Sequence, residues 1–365
     1  MNSKQYPIVW LGCISTSSYL LECSALSAAA NEWQALFLRH LPKRIHPTLI
    51  ISHIPYPAWP SGPLWVKHIS EKLNEVPIIN VSYLNIYLIR DLWISLCSLS
   101  LLFNALIKTG WSSMLITYNK SLKSSICGLL AKIMRFEWTE IFADGDSPSK
   151  LASCHLFLSP AAYLRFKTSF NNSFLFPPAI ARRSHVNTFP HLIHGKPYIM
   201  YSGTISEWTG IIDFAAKFEN AKLANDFTLV ITGKRFEKIH VSPLMQTRIF
   251  CTGFIDSGYL SHLLKHASAF VNPRPANFKA KESANNFPSK ILHYLSYGKP
   301  VFTTRTSNIH KELEPLLNFY ETLDDISFQL SDQHQINLKC QRIRSSLPCF
   351  TWDYAVSNFF HSIQS

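Results

Sequence analysis

The sequence predicts an α/β protein built from two consecutive Rossmann-like halves. Three observations carry this. The chain has 365 residues, too many for one ordinary core. Short apolar runs alternate with longer stretches of helical period, the pattern of parallel sheets covered by helices. An aperiodic, proline-rich segment near the middle interrupts the alternation, which then restarts.

In the first half, the runs 8–11, 49–52, 78–81, 114–117, 140–143 and 155–158 predict strands. Helices are expected around 26–41, 87–107 and 121–134. Pro177, Pro178, Pro190 and Pro197 punctuate residues 174–197, where a linker is expected. Beyond it, 198–203 and 227–233 read as strands ending in glycine, with a helix over 208–218 between them. Strands over 248–251, 269–272 and 301–304 and helices over 259–266 and 289–297 complete the second half. The resulting division is a first domain over 1–180, a linker over 181–196, a second domain over 197–348 and a closing segment over 349–365. In open α/β sheets ligands sit beyond the carboxyl ends of the strands. The glycine-ended strands therefore point at a binding cleft, with the facing half as its other wall.

Composition narrows the function. Hydrophobic residues make up 47% and charged residues 16%, which fits a globular chain and not a disordered one. The net charge of +12 divides evenly, +6 in residues 1–180 and +6 in 181–365, so there is no basic tail. A generally basic surface accounts for it; the sharper reading is attraction to phosphates of a sugar nucleotide or of an anionic membrane. Nucleic acid is disfavoured, because no zinc-finger spacing, RNA-binding aromatic signature or basic helix is present. Eight scattered cysteines without a CxxC pair suit a reducing compartment. The start, with Lys4 and then Pro7 through Gly12-Cys13, superficially resembles a lipoprotein signal, but its short apolar run reads better as a buried strand. Residues 92–107 form an apolar stretch short of the roughly 20 residues that span a bilayer. A helix packed on a sheet is the default, and a helix lying in a membrane interface is the alternative.

The strongest chemical signal is Asn272-Pro273-Arg274, a polar loop, and then Phe287-Pro288-Ser289-Lys290 opening a helix. Unpaired N–H groups at a helix start, with a lysine in the first turn, make a seat for phosphate. The plainer reading is a strand-loop-helix unit with a surface lysine. Asp144-Gly145-Asp146 follows an apolar strand as a cation-binding Asp-x-Asp would, but it is also an ordinary turn composition. No HExxH, Walker A lysine motif or Gly-x-Ser-x-Gly elbow is present, and His191 and His194 read as polar linker residues.

At these residues the chain resembles the family-4 glycosyltransferases, GT-B enzymes related to glycogen synthase. The likeness is greatest to bacterial members that build capsule, O-antigen or exopolysaccharide. Asn272-Pro273-Arg274, Phe287-Pro288-Ser289-Lys290, His293-Tyr294 and Tyr297-Gly298-Lys299-Pro300-Val301 carry it. So do Tyr201-Ser202-Gly203-Thr204, Ile231-Thr232-Gly233-Lys234 and Thr252-Gly253-Phe254, in order across 197–315. The first half is similar more loosely, at Trp10-Leu11-Gly12, Asn31-Glu32-Trp33-Gln34, Ile116-Thr117-Tyr118-Asn119 and Phe157-Leu158-Ser159. Residues 351–363 look like the closing helix that crosses back onto the first domain.

The resemblance implies a GT-B fold and transfer of a sugar from a UDP- or GDP-sugar to an acceptor hydroxyl, with retention and without a metal. Lys290 and Arg274 would hold the leaving diphosphate, helped by Lys234 and Arg235. Gly203, Thr204, Gly233, Gly253, Phe254, Phe287, Pro288, Ser289 and His293 would contact the donor, as would Gly12, where a glycine permits close approach. Glu32 and Asn119 would lie on the acceptor side, facing a saccharide or lipid-linked saccharide. His293 and Asn285 stand where relatives usually carry glutamates, and Thr204 and Thr209 where they often carry arginine and lysine. These departures keep open a catalytically inactive GT-B subunit that binds within a polysaccharide-assembly complex; a GT-B-shaped nucleotide-sugar epimerase is disfavoured by the missing carboxylates. A membrane-anchored structural protein is the remaining alternative. The expected place is the cytoplasm, with docking on the inner face of the membrane as its extension.

Overall fold

The computed structural model describes residues 6–17, 19–20, 24–87, 89–109, 113–181, 193, 196–234, 239, 248–275 and 285–363. The chain divides into two compact units. The first comprises Met1–Pro177, Asn285–Phe287 and Trp352–Ser365; the second comprises Pro178–Ala284 and Pro288–Thr351.

The first unit is built on an eight-stranded sheet. Its strands are β1 (Tyr6–Leu11), β2 (Ile45–Ser52), β4 (Ile69–Leu73), β5 (Val76–Asn80), β7 (Met114–Tyr118), β8 (Glu137–Phe142), β9 (Cys154–Phe157) and β10 (Ser173–Leu175), with β3 (Trp65–Val66) and β6 (Tyr83–Leu84) forming a separate ribbon. The order is β10-β9-β8-β7-β1-β2-β5-β4, parallel except where β4 meets β5. Strand order reverses between β1 and β7, the topological switch point. Ile8, Val9 and Trp10 of β1 are all fully buried, because both faces of the sheet are covered. The continuous apolar runs that predict strands have this origin.

Helices α1 (Ala28–Arg39), α2 (Arg90–Thr109), α3 (Leu122–Ile133) and α4 (Pro160–Phe166) complete the first unit. Ser27, Ser121 and Ser159 accept hydrogen bonds at the starts of α1, α3 and α4. Inner residues of α2 and α3, among them Leu102, Leu106 and Ala131, share one apolar core with Val9, Leu115 and Trp138. Gly128 lets α3 close on Trp138, whose burial contributes about 3 kcal/mol.

The second unit has a six-stranded parallel sheet in the order β13-β12-β11-β14-β15-β16. These strands are β11 (Tyr198–Ser202), β12 (Thr228–Thr232), β13 (Ile249–Gly253), β14 (Ala269–Asn272), β15 (Val301–Thr303) and β16 (Asn318–Phe319). Order reverses here between β11 and β14. The helices are α5 (Ile211–Phe218), α6 (Leu223–Asp226), α7 (Ser257–His266), α8 (Lys290–Leu295), α9 (Leu323–Ser331) and α10 (Gln333–Ser346). The last helix, α11 (Trp352–Ser362), returns to the first unit. Its Trp352 meets Trp33 edge-on at 5.7 Å, and its Phe359 and Phe360 both lie 6.2 Å from Phe37.

Several expectations are corrected. The helix over 208–218 is broken at Gly210, whose φ of 73° brings its backbone against the carbonyl of Pro273, where a Cβ would collide. Residues 173–175, where no strand is expected, form an edge strand paired with β9. Residues 182–192, 194 and 195, with His191 and His194, lie outside the described residues, as does Arg235. The hairpin β4–β5 escaped the sequence because its turn residues, Asn74 and Glu75, take positive φ without glycine.

Candidate functional site

In the second unit the carboxyl ends of β11, β12 and β13 stand side by side, each finished by a glycine. Gly203 N–H donates to Thr232 O at 2.9 Å, and Gly233 N–H donates to Gly253 O at 2.8 Å. Gly203 and Gly233 have φ of 135° and 143°, and a Cβ on Gly233 would strike the Gly203 carbonyl. Glycine is required at both positions to keep this edge flat.

Across the switch point, Lys290 reaches over Gly203. A Cβ on Gly203 would run into Lys290 Cε, so the lysine lies directly against bare backbone. Its Nζ donates to the Tyr201 hydroxyl and sits 4.2 Å from the Tyr201 ring centre. The Tyr201 hydroxyl in turn donates to Thr204 O at 2.7 Å. Tyr294, one turn along α8, accepts from Ser202 N–H at 2.8 Å, tying the helix to the end of β11.

Arg274 follows the end of β14 and is buried, with its guanidinium 5.3 Å from the centre of the Trp208 ring. Burial first, and then the like charge of Arg274, lower the Lys290 ammonium to about 7. Burial also lowers Arg274, partly offset by the Tyr201 hydroxyl. Two cations facing the end of one strand are what an anionic group would stabilise.

The remaining donor-side candidates fall into three groups. Lys234 lies 5.2 Å over the exposed Phe254 ring, at the ends of β12 and β13. Thr204 is exposed, whereas Thr209 is buried and closes a turn by donating to Ser206 O at 2.7 Å. Pro288 and Ser289 lead into α8, where Ser289 has helical dihedrals and makes no side-chain cap. His293 lies on the same helix, its ring 5.6 Å from that of Tyr297. Phe287 groups with the first unit, as does Asn285, whose Nδ2 donates to Gly145 O at 2.8 Å.

In the first unit the loop after β1 is held on every side. Gln34 accepts from Trp10 Nε1 and Cys13 N–H and donates to Cys13 O, at 3.2, 3.3 and 3.0 Å. Asn31 brackets Ser15 and Ser52 brackets Ile14, each donating to the carbonyl and accepting from the N–H. Glu71 accepts from the Ser15 hydroxyl and Thr16 N–H. Lys123, buried in the first turn of α3, donates to Gly12 O at 2.8 Å, with His53 Nδ1 at 3.0 Å. Burial lowers Lys123; burial, and then the charges of Lys123 and Arg90, hold His53 well below its ordinary value.

Sequence reasoning missed Lys123, His53, Ser52 and Glu71. Of its own acceptor-side candidates, Glu32 is exposed on α1. Asn119 directly follows β7. In the left-handed region at φ 59°, it accepts from Ala143 N–H at 2.8 Å and donates to Asp144, pinning the loop after β8.

Two α/β units with parallel sheets, switch-point edges and a C-terminal helix returning to the first unit define the GT-B fold. Solved structures agree. A UDP-forming α,α-trehalose-phosphate synthase from Burkholderia xenovorans, in complex with glucose-6-phosphate, superposes with a TM-score of 0.66 at 11% identity, covering 99% of this chain and 100% of that one. A glycosyltransferase involved in avilamycin A biosynthesis gives 0.59 at 10% identity, covering 98% and 97%. A putative UDP-N-acetylglucosamine 2-epimerase from Listeria monocytogenes gives 0.56 at 12%, covering 99% and 96%. Residues 196–317, which contain Gly203, Arg274 and Lys290, match the family model of glycosyl transferases group 1. No curated protein sequence matches the chain.

Proposed function

We propose that this chain is a retaining glycosyltransferase that moves a sugar from a UDP- or GDP-sugar to an acceptor hydroxyl in the synthesis of a bacterial surface polysaccharide. The observation that carries the reading is Lys290 lying against Gly203, with Arg274 close enough to depress its charge. The match of residues 196–317 to glycosyl transferases group 1 supports it. In this reading the donor diphosphate lies along the glycine-ended strands, and Lys290 and Arg274 stabilise the charge that develops as the anomeric bond breaks. The acceptor oxygen forms the new bond to the anomeric carbon, and its proton passes to a departing phosphate oxygen, so no strong protein base and no metal is required. Lys234 and Phe254 flank the same edge, where a nucleoside ring could stack. A saccharide or lipid-linked saccharide serves as acceptor.

Calorimetry of UDP, GDP and their sugar conjugates without metal, on the wild type and Lys290→Ala, tests the reading. One nucleotide binding, and weakening by about 1.5–3 kcal/mol in the variant, is the expected outcome. Turnover of that sugar nucleotide by the wild type completes the case. Binding without turnover on any acceptor points to the inactive binding subunit. No nucleotide binding by the folded protein overturns the donor site.

A further inference from the structure

Helix α2 is apolar on both sides. Its inner residues Ile94, Leu102 and Leu106 belong to the core of the first unit. Its outer side carries Leu92, Leu96, Phe103 and Ile107, four or seven residues apart and so on one face, with Trp93 beside them; all are exposed, Leu96 by 56% and Ile107 by 60%. Helix α3, packed beside it on the same core, presents Leu122, Leu129 and Ile133 outward at helical spacing, Ile133 exposed by 71%. Such a continuous apolar face is unusual on a monomeric surface. Trp65, also exposed, meets Trp93 edge-on at 5.8 Å and extends the face.

Charge decides the occupant. Through short connections α2 leads into β7 and α3 into β8, and these strands are parallel neighbours, so the carboxyl ends of both helices lie at the same edge of the sheet. Lys108 ends one stripe and Lys132 and Arg135 end the other, all three exposed. Tryptophans beside an apolar stripe with a basic margin match the chemistry of the water–lipid boundary. By length and composition Arg90–Lys108 is also apolar enough to cross a bilayer. Crossing would tear Ile94, Leu102 and Leu106 out of the core, so the helix can only lie flat.

We propose that the outer faces of α2 and α3 dock the protein on an anionic lipid surface. Leu92, Leu96, Phe103, Ile107, Leu129 and Ile133 would enter the headgroup boundary, with Lys108, Lys132 and Arg135 on the phosphates. The inference stands on the first unit alone and does not need the donor site.

The test is co-sedimentation with vesicles of phosphatidylcholine alone and with about 30 mol% phosphatidylglycerol, a negative surface of the kind that attracts basic margins. The wild type should bind the anionic vesicles at least tenfold more tightly than the neutral ones. Leu96→Glu/Ile107→Glu should lose binding by at least tenfold while keeping its melting temperature, since both side chains are already in water. Lys132→Glu/Arg135→Glu should remove the preference for anionic vesicles. No vesicle binding by the wild type overturns the inference, and so does binding unchanged in Leu96→Glu/Ile107→Glu. A wild-type dimer that this variant splits, without vesicle binding, means that a second copy covers the face, and equally overturns it. Nucleotide calorimetry on the same variants separates the two proposals: it should be unchanged, and its failure in the wild type leaves the docking result standing.

Discussion

The two units place a lysine in the same position and use it differently. In each, the strand on one side of the switch point ends in a glycine, Gly12 or Gly203, and the strand on the other side leads to a helix whose first turn carries a lysine, Lys123 or Lys290. Lys123 donates to the Gly12 carbonyl and faces His53, so its charge holds the chain's own loop. Lys290 lies against Gly203, meets the hydroxyl and face of Tyr201 among the described residues, and feels the like charge of Arg274. One edge is internally satisfied and stiff, and the other is electrostatically suited to an anion. The same fold can therefore make a strut or a seat, depending on which groups surround the ammonium.

The contrast is broken most severely at the glycines. Gly203→Val adds a side chain where φ is 135° and where Lys290 already lies, so the lysine must move. We expect about 1–3 kcal/mol of strain and at least a hundredfold loss of UDP or GDP affinity by calorimetry. Gly12 has no positive φ, and a Cβ there meets the ends of Gln34 and Trp10, so Gly12→Val should lower the melting temperature and leave nucleotide affinity within about threefold.

Exchanging the lysines for methionine sharpens the comparison. Lys123→Met leaves the Gly12 carbonyl without its donor and should destabilise the protein by about 1–3 kcal/mol in chemical denaturation. Lys290→Met removes a cation that folding itself disfavours, so it should unfold at the same or higher denaturant concentration while losing nucleotide binding. A matching loss of stability in both variants would erase the distinction between strut and seat.

The smallest effect is on pH. Folding lowers Lys290 to about 7, so above that value the folded protein holds fewer protons at this site than the unfolded chain. Its contribution to stability therefore rises with pH from about 7 towards the ordinary lysine range, and is lost as pH falls through 7. Binding of a diphosphate runs the other way, since it needs the charged form. Affinity should fall by up to about tenfold per pH unit above 7, with proton uptake visible as buffer-dependent binding enthalpy. Lys290→Met should abolish both trends.

Much of the glycine-ended edge was legible. Strand-ending glycines at 203, 233 and 253, Arg274 after an apolar run and Lys290 at a helix start are local patterns, and all gather at one sheet edge. The first unit was less so. Lys123 sits second in an apolar-period helix, where a lysine normally reads as solvent-facing, and only the neighbouring ends of β1 and β2 bury it. Asn119 looked available because its partner, the loop after β8, lies 24 residues away in sequence.

By itself the sequence determined the alternation of buried strands and helices, the restart after the proline-rich segment, and the glycines that flatten the second sheet's edge. Those follow from periodicity and from conformations only glycine takes easily. Tertiary structure alone decided the order of the strands, and hence which loops meet at each switch point, because apolar periodicity records burial and not neighbours. It also decided which side of α2 faces outward. A helix apolar all round carries no periodicity to say so, and packing on the sheet made the choice.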